Sequence, residues 1–153
     1  MKVSDILRSK GTVLYAVHPD DKIVDAVKMV VEKDIGSLVV MEHGDLLGML
    51  SFREINRQLA KSDGNLGNTL VRTAMDDSPI TCTLQTELDE VRRIMLEHHA
   101  RYIPVMDGRK LHGVISFYDV AKSVVEKQNF ENKMLKAYIR DWPEKDAEDA
   151  GVE

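Results

Sequence analysis

The chain has 153 residues, of which 43% are hydrophobic, and its formal net charge is −5. This length suits one globular domain or two very small ones, and the apolar fraction is too high for a disordered chain. The sequence contains no basic stripe for nucleic acid and no apolar run of the roughly 18 residues that a membrane helix needs. The N-terminus also lacks the apolar core of a signal peptide, so we expect a cytoplasmic protein.

An internal repeat organises the chain. The octapeptide GMLSFREI at residues 48–55 returns 65 residues later, at 113–120, as GVISFYDV. We therefore predict two degenerate units, at residues 1–62 and 69–127, with a loop rich in turn-forming residues at 61–68. One unit of about 60 residues buries little apolar surface alone, so the two are expected to share a core around a pseudo-twofold axis.

Each unit is predicted to have the order β-α-β-β-α, which gives an α+β fold. The first helix has apolar residues at steps of three and four, namely Ile23, Ala26, Val27, Val30 and Val31. The predicted strands lie at residues 14–17, 37–41 and 46–50 in the first unit, and at 80–83, 102–106 and 111–115 in the second. In each unit the final helix begins at the repeated octapeptide.

A further helix is predicted beyond the repeats, at residues 128–142. Its apolar residues recur at helical spacing, and they are Phe130, Met134, Leu135, Tyr138, Ile139 and Trp142. This stripe must cover either the second repeat or a partner subunit. Pro143 ends the pattern, and the acidic residues 143–153 are predicted to be disordered.

The repeated octapeptide contains a helix-capping signal. Ser51 and Glu54, like Ser116 and Asp119, have the spacing of a capping box, in which each side chain binds a backbone N–H at the start of a helix. A helix N-terminus also suits a phosphate, and a carboxylate in the first turn can accept hydrogen bonds from the two hydroxyls of a ribose. Arg53 could pair with phosphate oxygens or be a solvated surface residue. The local chemistry therefore permits a nucleotide without requiring one.

These features resemble a pair of CBS domains, the regulatory module named after cystathionine β-synthase. The similar segments are PDDKIVDA at 19–26, IGSLVV at 35–40, RYIPV at 101–105 and the two octapeptides, so that the resemblance covers about residues 1–127. It implies a protein that binds AMP, ADP, ATP, S-adenosylmethionine or NAD in clefts between the repeats. It also implies a homodimer, in which the C-terminal helix could take part.

The resemblance assigns residues to two clefts. The first, called the Asp119 cleft below, would use Thr12, Ala16, Ile35, Gly36, Ser37, Ser116 and Asp119, with Lys10 and Arg101 near the phosphates. The second, called the Glu54 cleft, would use Ser51, Arg53, Glu54, Ile80, Thr81, Cys82, Arg101 and Tyr102. Asp119 matches the acid that holds the ribose in this family, whereas Glu54 is longer by one methylene. The Asp119 cleft is therefore expected to be the principal site.

Several of these residues also have structural explanations. Thr12 could cap a turn, Ala16 and Ile35 could belong to the core, Gly36 could be needed for a positive φ, and Tyr102 could simply begin a strand. Cys82, the only cysteine, lies in a strand-like context that predicts a buried structural thiol.

No catalytic or metal-binding motif is evident. The histidines are scattered apart from His98 and His99, and adjacent helical residues do not share a face. The leading hypothesis is a non-catalytic sensor that reports an adenosine ligand to an unknown partner protein. The alternatives are an adaptor dimer with vestigial clefts and an enzyme that acts on a nucleotide phosphate.

Overall fold

The structure is a computed structural model, and it describes residues 1–11 and 13–140. The chain forms two compact units, one comprising Met1–Phe117 and one that begins at Tyr118. The expected α+β architecture, with two related repeats and a C-terminal helix, is confirmed. Among the helices in the described ranges, none has the length and apolar character needed to cross a membrane.

The first repeat contains one three-stranded sheet. Its elements are α1 (Val3–Lys10), β1 (Ala16–Val17), α2 (Ile23–Lys33), β2 (Ser37–Glu42), β3 (Asp45–Ser51) and α3 (Phe52–Lys61). Strand β1 runs parallel to β2, and β2 forms an antiparallel hairpin with β3. Because Ile23, Ala26 and Val30 recur at helical spacing, α2 buries all three on one face.

The second repeat contains a two-stranded sheet. Its elements are α4 (Val71–Ala74), α5 (Leu88–His98), β4 (Tyr102–Asp107), β5 (Lys110–Ser116) and α6 (Phe117–Arg140). The hairpin of β4 and β5 repeats that of β2 and β3. Each has a register shift at the same place, after Val40 in the first repeat and after Val105 in the second.

The strand predicted at residues 80–83 does not form, and this expectation was wrong. Only Cys82 pairs with β4, where its N–H donates to the carbonyl of Pro104 at 3.0 Å. The N–H of Thr83 instead donates to the hydroxyl of Thr86 at 3.0 Å. Such local side-chain bonds compete with a strand ladder. The strand predicted at 14–17 is likewise shortened to Ala16 and Val17.

The helices α1 and α4, which were not predicted, are exchanged between the repeats. The N–H of Val3 donates to the carbonyl of Thr86 at 3.0 Å, which binds the start of α1 to the second repeat. In the opposite direction, the N–H of Val71 donates to the carbonyl of Asp21 at 2.8 Å, which binds α4 to the first repeat. The first helix of each repeat therefore packs on the other repeat.

The glycine of each octapeptide lies where an exchanged segment crosses the sheet. A β-carbon on Gly48 would collide with the backbone carbonyl of Asp76, which follows α4. A β-carbon on Gly113 would lie 3.0 Å from the side chain of Leu7 in α1. Both copies of the octapeptide therefore have a glycine at this position, because in each sheet a segment of the chain lies close against the backbone there.

Buried side chains hold these layers together, and they include a larger and a smaller group. The larger joins α2, the first sheet and α4, and includes Val17, Ile23, Leu38, Leu50 and Val71. The smaller consists of Val39, Met49 and Val114, and therefore joins the sheets of the two repeats. This shared core agrees with the sequence argument that one repeat alone buries too little apolar surface.

Helix α6 extends over 24 residues from the second octapeptide to Arg140, so the predicted C-terminal helix is its distal part. The apolar side chains of that part are exposed, with 57–64% of their surface accessible, and they are Phe130, Met134, Leu135, Tyr138 and Ile139. Trp142 and the predicted acidic tail at 143–153 lie outside the described residues.

Candidate functional site

A cleft of about 750 Å³ opens between the two repeats within Met1–Phe117. This volume lies within the range of about 300–1,000 Å³ that is typical of small-molecule sites. The first repeat contributes the start of α3, and the second contributes the segment before β4. Six residues predicted for the Glu54 cleft line it, namely Ser51, Arg53, Glu54, Ile80, Arg101 and Tyr102.

Glu54 is buried at the inner end of this cleft, with 8% of its surface exposed. Its Oε1 accepts hydrogen bonds from the backbone N–H of Ser51 at 3.1 Å and from the Ser51 hydroxyl at 2.9 Å. The predicted capping box at the start of α3 is therefore confirmed. The carboxylate is directed at its own helix end, so its capacity to accept further hydrogen bonds is reduced.

Arg53 joins the two repeats across the cleft. Its guanidinium Nη2 donates to the backbone carbonyl of His99. His99, which has a φ of 52°, directly follows α5, and carbonyl groups at this end of the helix are left without helical partners. Arg53 therefore provides one of these carbonyls with a donor and links the first turn of α3 to the end of α5.

Two further basic residues of the cleft, Arg57 and His98, were not predicted from the sequence. Arg57 lies one helical turn after Arg53 and therefore shares its face of α3. The four-residue spacing of Arg53 and Arg57 is the sequence feature from which Arg57 could have been predicted. His98 is the last residue of α5, and no pattern in the sequence connects it with α3.

Tyr102 lies at the boundary of the cleft and contacts the first repeat. Its hydroxyl and ring occupy the space that a side chain at Gly36 would need. Gly36 does not have a positive φ, so this contact, and not backbone conformation, explains the glycine. The suggestion that Gly36 is needed only for a positive φ was wrong.

Two residues predicted for the Glu54 cleft, Thr81 and Cys82, are not among those that line it. Cys82 is buried in the core, as expected for a structural thiol. Burial raises the pKa of the Cys82 thiol to about 11, because the apolar surroundings disfavour the thiolate. Cys82 is therefore a poor nucleophile at neutral pH.

The residues predicted for the Asp119 cleft are distributed over several elements. Thr12 lies outside the described residues. Lys10 ends α1, and its ammonium donates to the carbonyl of Val114 at 2.9 Å. Ser116 ends β5, and Asp119 is half-buried in the first turn of α6. Arg101, which was assigned to both clefts, lines the Glu54 cleft.

Three other residues predicted for the Asp119 cleft, Ile35, Gly36 and Ser37, form a continuous segment at the start of β2. Ser37 begins the strand and pairs with Ser51. Ile35 packs against the larger core, in agreement with its structural explanation. Ala16, in contrast, is exposed, so the suggestion that it belongs to the core was wrong. Ala16 lines a shallower hollow of about 490 Å³ near the hairpin turns.

Within residues 1–11 and 13–140, no group of three or more His, Cys, Asp or Glu side chains could hold a metal ion. The side chains that line the cleft can bind anions and flat apolar groups.

The comparisons with known proteins agree with the repeat. A family model described as "CBS domain" matches residues 3–61 and 71–126. A CBS domain-containing protein of Arabidopsis thaliana, the mitochondrial CBSX3, is 30% identical over 148 residues, which cover 90% of this chain and 71% of the relative.

Solved structures have the same fold. A putative signal-transduction protein with CBS domains from Burkholderia ambifaria superposes with a TM-score of 0.78 at 33% identity, over 84% of this chain and 96% of the other. The structure of CBSX2 in complex with AMP superposes with a TM-score of 0.68 at 26% identity, over 83% of this chain and 98% of the other.

Proposed function

We propose that this chain, which belongs to the CBS-domain family, is a non-catalytic regulatory module. In this proposal it binds an adenosine-containing ligand between its repeats. The observation that carries this proposal is the octapeptide, repeated after 65 residues, which places a serine and an acid at the start of a helix in each repeat. The cleft of about 750 Å³ beside the first copy, which both repeats line, gives such a ligand room. The AMP bound to the related CBSX2 supports an adenosine ligand.

The ribose is assigned to the Asp119 cleft. Ser116 and Asp119 correspond to Ser51 and Glu54 by the 65-residue offset. Asp119 has the length of the acid that holds the ribose in this family, whereas Glu54 is longer by one methylene. Candidate ligands are AMP, ADP, ATP, NAD and S-adenosylmethionine.

Regulation follows from the position of the clefts. A ligand that contacts both repeats stabilises one of their relative arrangements, and a partner protein that prefers this arrangement then binds more tightly. The ligand state of the cell, such as its ratio of AMP to ATP, would be transmitted in this way. The clefts have no catalytic task in this proposal.

A homodimer is also part of the proposal. The exposed apolar side chains of distal α6 support a contact with another protein surface. Light scattering at micromolar concentration tests it. A mass of one chain, unchanged by ligand, would remove the homodimer from the proposal without affecting ligand binding.

A thermal-shift panel on ligand-stripped protein tests the proposed ligand class. A ligand that binds only the folded state at a hundredfold excess over its Kd stabilises the protein by about 2.7 kcal/mol. We expect a rise in Tm with at least one of AMP, ADP, ATP, NAD or S-adenosylmethionine, and its loss in Asp119→Ala. If no ligand raises the Tm, the adaptor function with vestigial clefts replaces the sensor.

A further inference from the structure

The distal part of α6 presents an apolar surface to solvent. Phe130, Met134, Leu135, Tyr138 and Ile139 are all more than half exposed. Because an α-helix turns by about 100° per residue, these five side chains fall within one half of the helix circumference. No part of the chain that the structure describes covers this surface, which is called the α6 stripe below. A contiguous apolar patch of this kind marks a site where another surface binds.

The opposite side of distal α6 is basic. Residues 127–140 contain four basic residues and one acidic residue, in a chain whose net charge is −5. Lys133, Lys136 and Arg140 fall on the side of the helix away from the α6 stripe. Over the described ranges of the chain, the ammonium groups of Lys127, Lys133 and Lys136 form no ion pair. Their charge is therefore available to an acidic partner.

The sequence beyond Arg140 has the opposite charge. Residues 141–153 contain six acidic residues and one basic residue. An anionic lipid surface attracts lysines but would repel this segment, so the combined charges do not favour a membrane. They favour a partner that has an apolar helix face next to an acidic segment, and a second copy of this chain has both.

The α6 stripe is self-complementary in an antiparallel pair of helices. If two copies of α6 cross just after Lys136, Leu135 of one copy lies level with Tyr138 of the other. Met134 then lies level with Ile139, so each of these four side chains meets an apolar neighbour. Equivalent surfaces related by a twofold axis are also the commonest arrangement in homodimers.

The charges distinguish this pairing from a parallel one. The acidic segment of each chain follows the C-terminal end of its helix. An antiparallel neighbour therefore brings the basic residues 127–133 of one copy toward residues 141–153 of the other, and opposite charges attract across the pair. In a parallel pair, each charged residue would lie beside its own equivalent, and the two copies would repel each other.

We propose that the distal part of α6 binds antiparallel to the distal α6 of a second copy, so that the two α6 stripes cover each other. This pairing rests on the homodimer in the function proposed above and deepens it by naming the surface, the orientation and the charged segments involved. Asp119 lies in the first turn of the same helix. The acid predicted to hold the ribose and the dimer contact thus belong to one element.

Sedimentation equilibrium of the full chain tests the surface. The wild-type chain should form a dimer, and Leu135→Gln should weaken dimerisation about tenfold or more, because each dimer loses two buried leucines. Leu96→Gln is the matched control, since Leu96 lies on α5 and is 61% exposed, compared with 57% for Leu135. This control should dimerise like the wild-type chain. A monomeric wild-type chain, or equal weakening by the two variants, would overturn the proposal.

Disulfide cross-linking tests the orientation, in a Cys82→Ser background that removes the native thiol. Chains with Met134→Cys and chains with Ile139→Cys are mixed and oxidised with copper phenanthroline. The antiparallel pair predicts mainly the mixed disulfide between the two variants, whereas each variant alone should cross-link slowly. Predominant cross-linking of each variant to itself would show a parallel pair and contradict the proposal.

Salt and lipid test the charge argument. At about 1 M ionic strength, where the Debye length falls to about 3 Å, the wild-type dimer should weaken several-fold. A dimer that salt strengthens would contradict the charge pairing. Vesicles of phosphatidylglycerol probe the membrane alternative. If a monomeric wild-type chain binds them and Leu135→Gln does not, the α6 stripe faces lipid and the proposal is wrong.

AMP, titrated into the same samples, separates this proposal from the adenosine function. If AMP binds in an Asp119-dependent manner while the wild-type chain is a monomer, only the homodimer and its α6 pairing are wrong. If a dimer forms through Leu135 while no adenosine ligand binds, the adenosine function is wrong and the α6 pairing is supported.

Discussion

The hydroxyl end of Tyr102 lies against the α-carbon of Gly36, so that residues from the two repeats share one small space. Tyr102 lines the Glu54 cleft, and Gly36 is among the residues predicted for the Asp119 cleft. A displacement of β4 relative to β2 therefore alters the surroundings of both residues. This contact offers a direct physical connection between the Glu54 cleft and a residue predicted for the Asp119 cleft.

Gly36→Ala is expected to destabilise the protein. The new β-carbon would overlap the Tyr102 hydroxyl and ring, and overpacking of this kind typically costs about 1–3 kcal/mol. Urea denaturation measures the change. Because the hydroxyl is the nearest atom, adding Tyr102→Phe should restore part of the lost stability. Equal stability of Gly36→Ala and the wild-type chain would show that the contact is not tight.

The two octapeptide glycines should differ in their tolerance of alanine. A β-carbon at Gly48 meets the backbone of Asp76, whereas one at Gly113 meets the flexible side chain of Leu7. We expect Gly48→Ala to lose about 1–3 kcal/mol of unfolding free energy and Gly113→Ala distinctly less. Denaturation of both variants under identical conditions provides the comparison. The reverse order would contradict the crossing of α4 and its following residues over the first sheet.

Ser51→Ala should cost about 1 kcal/mol, because it removes the hydroxyl of the capping box at the start of α3. Thermal unfolding measures this loss. Ser116→Ala is the matched variant at the second octapeptide, and a similar loss there would establish the predicted second cap. A loss confined to Ser51→Ala would show that Ser116 has a different role.

The Cys82 thiol should react slowly with disulfide reagents at pH 8 in the folded protein and rapidly after unfolding. Burial limits access, and the pKa of about 11 keeps the folded thiol protonated. The unfolded thiol ionises near its ordinary pKa of 9.0, so the free energy of unfolding should fall as pH rises from about 9 toward 11. Cys82→Ser should remove this pH dependence. Fast reaction of the folded chain at pH 8 would contradict the burial.

Much of the fold could be predicted because its signals are local. The apolar spacing from Ile23 to Val31 defines α2, and the Ser51 and Glu54 pair defines the start of α3. The exchange of α1 and α4 was not predicted, because both helices are short and are fixed by hydrogen bonds to distant residues. The N–H of Val3, for example, is bound to the carbonyl of Thr86.

The candidate site was predicted in part for the same reason. The repeated octapeptide marks Ser51, Arg53 and Glu54 as a local group, and the family resemblance supplied Arg101 and Tyr102 from the other repeat. His98 was missed because its place in the cleft depends on how α5 packs near α3. Cys82 was assigned to this cleft only through the family resemblance, whereas its strand-like context predicted the buried thiol that the structure contains.

Isothermal titration of AMP into ligand-stripped protein most directly tests the central claim of an adenosine-binding regulatory module. The wild-type chain should bind AMP. Asp119→Ala should weaken binding about tenfold or more, since it removes a charged acceptor of the ribose hydroxyls. The matched variant Glu54→Ala, in the other cleft, should retain most of the affinity. Equal weakening by both variants would contradict the assignment of the ribose to Asp119, and absence of AMP binding by the wild-type chain would contradict an AMP sensor.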